Sequence, residues 1–356
     1  MAHKAPPALS IGPRPGAPGL RGDRFRESSA RRPPFRGNLA ALDLGTNNCR
    51  LLIARPEGED FIIVDAFSRI VRLGEGLAAT GYLSEAAVER TISALSVCAD
   101  KLCRRRVTLA RSVATEACRQ AENGAEFVAR VQRETGIMLD IISAREEARL
   151  AVIGCHALLE GGDGPALIFD IGGGSTELAV IEGRGASLRI VDWLSAPFGV
   201  VSLAEAVAMR GDGPAERAAA YAEMLTYMRE AFSDFAARLD ATGGSLRLLG
   251  TSGTVTTLAS VYLGLPRYDR QAVDGLIVPS AEMRDIARRL STMSLAERVA
   301  LPCIGDERAD LVVAGCAILE AILDIWPAER LGVADRGIRE GILRSLLDSA
   351  SSRQLR

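Results

Sequence analysis

The chain has 356 residues, 48% of them hydrophobic and 25% charged, with a formal net charge of −2. Those proportions are ordinary for a globular protein and leave room for about two domains, each with its own core. No stretch is apolar for the roughly eighteen residues that a membrane-spanning helix needs, which argues against such a helix.

The first 37 residues stand apart, with eight Lys or Arg against two acids, many Pro and Gly, and almost no apolar periodicity. They read as a disordered basic leader. Without them the body carries 35 basic and 43 acidic residues, a net charge of −8, which argues against extended nucleic-acid binding. No apolar segment of signal-peptide type opens the chain, and the seven cysteines form no C-x-x-C pair, so the expected setting is cytoplasmic with reduced thiols. His3 and His156 are too few for a histidine-based metal site, and His156 lies in an apolar helical stretch where packing is its natural role.

In chain order, residues 39–44, 49–55 and 60–67 predict three strands of an antiparallel meander. Ser84 can cap a long helix whose apolar residues recur at helical spacing from Ala87 to Leu102. A strand at 107–113, a helix at 125–135, a strand at 137–142 and a helix opened by Ser143 follow. The same order then starts again: strands at 166–171, 176–182 and 187–194, helices at 199–209 and 215–239, a strand at 246–249 and a helix to about 263. Helices near 281–291 and 307–325, a strand at 330–333 and a last helix over 337–350 complete the chain. Two units with matching strand-Asp-x-Gly starts, 127 positions apart from Asp43 to Asp170, imply a duplicated α/β domain with a ligand cleft between the halves. The expected division is 1–37, 38–150, 151–335 and a C-terminal helix in 336–356 that packs back across the domain interface.

Three loops rich in glycine and hydroxyls follow predicted strands: Gly45-Thr46-Asn47-Asn48, Gly172-Gly173-Gly174-Ser175-Thr176 and Gly250-Thr251-Ser252-Gly253-Thr254. Such loops let backbone amides approach phosphate oxygens closely, although hairpin turns use glycine too. Asp43 and Asp170 sit at strand ends just before two of them, where an unpaired charge is costly unless a donor, water or a metal satisfies it. Glu177 lies seven residues beyond Asp170 on the far arm of the hairpin, so both carboxylates can face one ion such as Mg2+. Glu146 and Glu147 open a helix, where they could simply stabilise its N-terminus, and Glu116 shares that ambiguity. No P-loop motif and no strand-associated G-x-G-x-x-G occurs.

Ala41-Leu-Asp-Leu-Gly-Thr-Asn-Asn48, Ile142-Ser-Ala-Arg-Glu-Glu-Ala-Arg-Leu150, Phe169-Asp-Ile-Gly-Gly-Gly-Ser-Thr-Glu-Leu178 and Leu249-Gly-Thr-Ser-Gly-Thr254 resemble the signature blocks of the exopolyphosphatase and guanosine pentaphosphate phosphohydrolase (Ppx/GppA) family. Gly305-Asp-Glu-Arg-Ala-Asp310 and Asp335-Arg-Gly-Ile-Arg-Glu-Gly341 resemble its downstream blocks. The resemblance implies duplicated ribonuclease H-like domains of the actin, sugar kinase and heat-shock ATPase type. It implies Glu147 as the catalytic base, Asp170 and Glu177 as carboxylates for Mg2+ or Mn2+, and Arg119 as a phosphate contact. Asp43, the loops 45–48 and 172–176, and as a further substrate loop 250–254, would bind phosphate. Thr46-Asn47-Asn48 stand where many members have Ser-Asn-Ser, and Ala144 where Gly is usual. The chain looks like the short, two-domain form.

The implied function is an exopolyphosphatase that releases orthophosphate from the end of inorganic polyphosphate. The alternatives are hydrolysis of pppGpp to ppGpp, or a non-catalytic (p)ppGpp or nucleotide sensor on the same scaffold. An ATP-dependent kinase fits the blocks less well. Neither nucleic acid nor a membrane is expected as a partner, and a homodimer is an expectation from family analogy alone.

Overall fold

The computed structural model describes residues 37–353, apart from 59, 160, 163, 184–187, 208–210, 241–245 and 307. The leader expected over 1–37 thus lies outside the described residues except for Gly37.

The first half runs β1 (Asn38–Leu44), β2 (Asn48–Glu57), β3 (Asp60–Ile70), α1 (Leu77–Thr80), α2 (Glu85–Arg104), β4 (Val107–Ala114), α3 (Glu116–Gln120), α4 (Gly124–Thr135), β5 (Leu139–Ile141) and α5 (Ala144–Cys155). After a 3-10 turn at His156–Leu158 the second half runs β6 (Ala166–Ile171), β7 (Thr176–Glu182), β8 (Arg189–Ala196), α6 (Val200–Ala206), α7 (Pro214–Asp240), β9 (Arg247–Thr251) and α8 (Ser252–Tyr262). It continues through α9 (Arg270–Val273), β10 (Ile277–Pro279), α10 (Ser280–Thr292), α11 (Leu295–Val299), α12 (Val312–Ile325), β11 (Arg330–Ala334) and α13 (Ile338–Arg353).

The first sheet has the order β3-β2-β1-β4-β5, and the second contains the same order as β8-β7-β6-β9-β11 with β10 added at its edge. In each sheet the first three strands are antiparallel and the next two join in parallel. This is the duplicated ribonuclease H-like α/β fold. Its central strands read as continuous apolar runs because they are covered on both faces; in β6 five of six residues are buried. The outer strand β3 has no buried residue.

Four apolar clusters follow from these two sheets. One face of the first sheet packs on α2 and α4 through Leu42, Ile53, Leu95, Phe127 and Val131. One face of the second packs on α7, α8, α10 and α12, with Phe169, Phe232 and Phe235 fully buried. The other two faces share α5. Leu150 packs with Leu39, Leu52, Ile342 and Leu343 against the first sheet, while Val152 and Cys155 pack on Ile168, Ile181 and Leu249 of the second. α5 and α13 therefore form the seam between the sheets, and two glycines let them touch. A Cβ on Gly154 would lie 1.9 Å from the Gly337 carbonyl oxygen, and one on Gly341 2.0 Å from that of Leu150.

Boundaries moved in places. The helix expected at 307–325 begins at Val312, because Ile304, Gly305, Leu311 and Val312 donate to carbonyls three or four residues back in a series of turns before the regular helix. α3, α9, α11 and β10 are three to five residues long and offer too few positions for a periodic signal. Among the described residues no helix is long and apolar enough to cross a membrane.

Candidate active site

The ends of β1 and β6 meet in one cleft that encloses about 1190 Å³ between protein atoms, part of it open to solvent. Asp43, Gly45–Asn48, Glu147, Asp170, Gly172–Ser175, Glu177 and Thr251–Thr254 all line it, residues drawn from both halves of the chain. Gly250 lies below the wall, with a hypothetical Cβ 2.6 Å from the Phe169 ring. Thr176 is also set back: it is fully buried, and its hydroxyl donates to the Phe198 carbonyl at 2.7 Å. Arg119 does not line the cleft but reaches Glu147, which does. His156 is elsewhere, with Nδ1 3.0 Å from the Val152 carbonyl oxygen.

The two glycine loops are built alike. In the second, the carbonyls of Gly172 and Gly173 accept from the amides of Val200 and Val201 at 2.9 and 2.8 Å, and Ser202 Oγ donates to the Gly174 carbonyl at 2.9 Å. All three oxygens are thus tied to the first turn of α6. Since C=O and N–H of a trans peptide point in opposite directions, the amides of Gly173, Gly174 and Ser175 face away from α6. In the first loop the Thr46 carbonyl accepts from Gly74 N at 2.9 Å and the Asn47 carbonyl from Val71 N at 2.9 Å, which turns the amides of Asn47 and Asn48 the other way. The loops also touch: a Cβ on Gly173 would sit 3.0 Å from Asn47 N, and one on Gly174 2.5 Å from Thr46 Oγ1. Only glycine permits so close an approach.

The third loop is strained. Ser252 has φ of 89°, a region that serine rarely adopts, and its hydroxyl donates to the Ile171 carbonyl at 2.7 Å. That bond ties the start of α8, with its unpaired first-turn amides, to the second loop.

Strand register explains the carboxylates. Asp170 stands directly opposite Glu177 across β6 and β7, and Asp43 stands opposite Arg50 across β1 and β2. The duplication therefore places Arg50 where the second half has Glu177, at the same seven-residue spacing. Arg50 lines the cleft and was not singled out from the sequence, although that spacing was the available signal. Arg308, Arg336 and Arg339 also line it, from the two downstream blocks. Arg308 donates to Thr257 Oγ1 at 3.0 Å, Arg336 pairs with Asp274 at 2.7 Å, and burial holds the Arg339 guanidinium below its ordinary range.

Burial raises the Asp170 carboxyl to about 6, with nearby Asp43 adding to the effect. It raises Glu177 to about 7, helped by Asp170 and opposed by hydrogen bonds from Ser175 Oγ at 2.7 Å and Ser195 Oγ at 2.9 Å. Burial also raises Asp43, against the pull of Arg50 and Arg339. Glu147, 6% exposed, is pushed well above the usual carboxylate range by burial first and then by Glu177, while Arg119 Nη1 donates to its Oε2 at 2.7 Å.

These residues fit a divalent cation. A buried and a half-buried carboxylate in register repel each other unless a cation lies between or beside them. Asp43 Oδ1, Thr46 Oγ1 and Asn47 Oδ1 are buried without a protein partner on the same wall, a cost that a bound ligand or ordered water would remove. Among the described residues no group of three or more His, Cys, Asp or Glu forms a closed metal cage. A sparse carboxylate set completed by water and substrate oxygens is the mode that Mg2+ favours.

A carboxyl raised on folding takes up protons in the folded state, so its stabilising contribution is whole below the unfolded value and is lost as pH rises through the folded one. For Glu177 that window runs from 4.5 to about 7. Glu177→Gln, which keeps an acceptor for Ser175 and Ser195, should melt like the wild type at about pH 4 and above it at about pH 8 in metal-free buffer. A difference that stays constant across the two pH values would contradict the assignment.

The model of the Ppx/GppA phosphatase family matches residues 52–350. Exopolyphosphatase 2 of Mycobacterium tuberculosis is 32% identical over 324 residues, covering 86% of this chain and 98% of that protein. The crystal structure of the Aquifex aeolicus Ppx/GppA family member is 29% identical with a TM-score of 0.71, covering 88% of this chain and 98% of that one. An exopolyphosphatase structure from Cytophaga hutchinsonii, at 23% identity, shares the fold with a TM-score of 0.78 over 88% of this chain and 98% of that one. The strand order, the paired glycine loops and these matches agree, and the chain belongs to the Ppx/GppA phosphatase family.

Proposed function

We propose that this protein hydrolyses the terminal phosphoanhydride of inorganic polyphosphate in the cytoplasm and releases orthophosphate. The observation that carries the reading is the placement of Glu147. A buried carboxylate with a raised pKa, gripped by an arginine, shares one cleft with two glycine loops whose carbonyls are turned away from it. The activity named for the Mycobacterium tuberculosis relative supports the substrate class.

In this reading the loop amides and the Thr46 hydroxyl hold the terminal phosphoryl oxygens. Glu147 takes a proton from the attacking water, and its raised pKa makes it a stronger base once ionised. Arg50, Arg308 and Arg339 receive the next units of the polyanion. Asp170 and Glu177 would hold Mg2+ or Mn2+, which supplies charge neutralisation on the phosphoryl oxygens when bound.

The test is phosphate release from polyphosphates of several lengths, with pppGpp in a parallel assay. Polyphosphate is expected to turn over faster than pppGpp. The reverse order would reassign the substrate, and saturable ppGpp binding without any release would favour a sensor.

A further inference from the structure

Ser294-Leu-Ala-Glu297 forms a capping box: Ser294 Oγ accepts from Glu297 N at 3.3 Å, and Glu297 Oε2 accepts from Ser294 N at 2.7 Å. It fixes the short helix α11, and Arg298 stands in the last turn of that helix. Arg298 is 3% exposed, and its acceptors are main-chain carbonyls. Nε donates to Ala309 at 2.8 Å and Nη1 donates to Met293. A guanidinium taken out of water is costly unless its donors are used. Burial lowers this one below its ordinary range in spite of nearby Asp212.

The bond to Ala309 holds the backbone between two side chains that reach outward. Arg308 lines the cleft and donates to Thr257 Oγ1 at 3.0 Å, and its own carbonyl accepts from Val312 N at 2.9 Å where α12 begins. Asp310 pairs at 3.0 Å with Arg72, which follows β3 in the first half of the chain. We propose that Arg298 is a positioning residue for substrate binding: by holding the Ala309 carbonyl it fixes the backbone that aims Arg308 into the cleft, where Arg308 meets a polyphosphate unit behind the terminal one. This rests on the reading of Arg308 as a polyphosphate contact. A lysine at 298 keeps the charge but reaches one carbonyl at a time, because an ammonium lacks the spread of guanidinium donors. The released backbone then lets Arg308 exchange phosphate for water. That weakens bound substrate and transition state alike, which raises KM and leaves kcat nearly level.

The experiment compares wild type, Arg298→Lys, Arg298→Met, Arg308→Gln and the combined Arg298→Lys, Arg308→Gln variant. Calorimetry with tripolyphosphate, run in metal-free buffer to suppress turnover, should show Arg298→Lys and Arg308→Gln each binding about tenfold more weakly, the loss of one hydrogen bond between charged groups. The combined variant should bind within about twofold of Arg308→Gln, because both changes remove the same contact. With polyphosphate, Arg298→Lys should raise KM about tenfold and keep kcat within about threefold of wild type. Arg298→Met, which leaves the Ala309 carbonyl without its donor, should melt below the wild type and bind no better than the lysine variant; if it does not fold, the lysine variant decides. Losses that multiply to about a hundredfold in the combined variant, an unchanged Kd in Arg298→Lys or Arg308→Gln, or a lowered kcat at unchanged KM would overturn the proposal. A wild type that binds tripolyphosphate but releases no phosphate from polyphosphate ends the hydrolase reading, and the calorimetry still decides the role of Arg298.

Discussion

Glu147→Gln is expected to lower polyphosphate hydrolysis by about three orders of magnitude, the range that general-base catalysis spans. Glutamine keeps an oxygen for Arg119 Nη1 and fills the same volume, so the contact at 2.7 Å and the packing of α5 should persist. It cannot accept the water's proton at neutral pH. Stability separates this loss from unfolding. Burial and Glu177 raise the Glu147 carboxyl well above its ordinary value, so the ionised side chain costs stability as pH rises. The variant should therefore melt at or above the wild-type temperature at about pH 8 while losing turnover. Wild-type turnover in the variant would remove Glu147 from the mechanism, and a lower melting temperature would show that the residue is structural.

The second large effect is expected at the seam. Gly341→Ala places a Cβ 2.0 Å from the Leu150 carbonyl oxygen, and Gly154→Ala one 1.9 Å from that of Gly337. Both obstacles are backbone atoms, so no side-chain rotation relieves them and α5 and α13 must part. Leu150, Ile342 and Leu343, all fully buried at this contact, then lose packing. Each substitution should cost about 3 kcal/mol, the upper end for overpacking. Activity should fall as well, because Glu147 sits in the first turn of α5. Gly161→Ala is the control: it is exposed, with nothing within 4 Å of its Cβ. Urea or thermal unfolding reads the difference, and a Gly341→Ala melting temperature equal to that of the control would contradict the close crossing.

The duplicated fold was legible because each half announces itself with the same run of apolar strand, Asp, apolar residue and Gly. Register then follows from the hairpin, which is why Asp170 and Glu177 could be paired from their spacing and do stand opposite each other. Glu147 was harder. An acidic residue in the first turn of a helix is normally a partner of the helix dipole, and only the surrounding block of residues suggested more. What distinguishes it physically is burial and the bond to Arg119, both made by chain segments far apart in sequence. Arg308 and Arg336 likewise line the cleft beside partners far off in sequence, Thr257 and Asp274.

In the proposed mechanism a water activated at Glu147 attacks the terminal phosphorus of a polyphosphate chain. Hydrolysis in water enriched in oxygen-18 tests it most directly. One solvent oxygen should enter each orthophosphate released and none the shortened chain, with product lengths falling one unit at a time. Orthophosphate without solvent oxygen, or fragments cut from the middle of the chain, would contradict it.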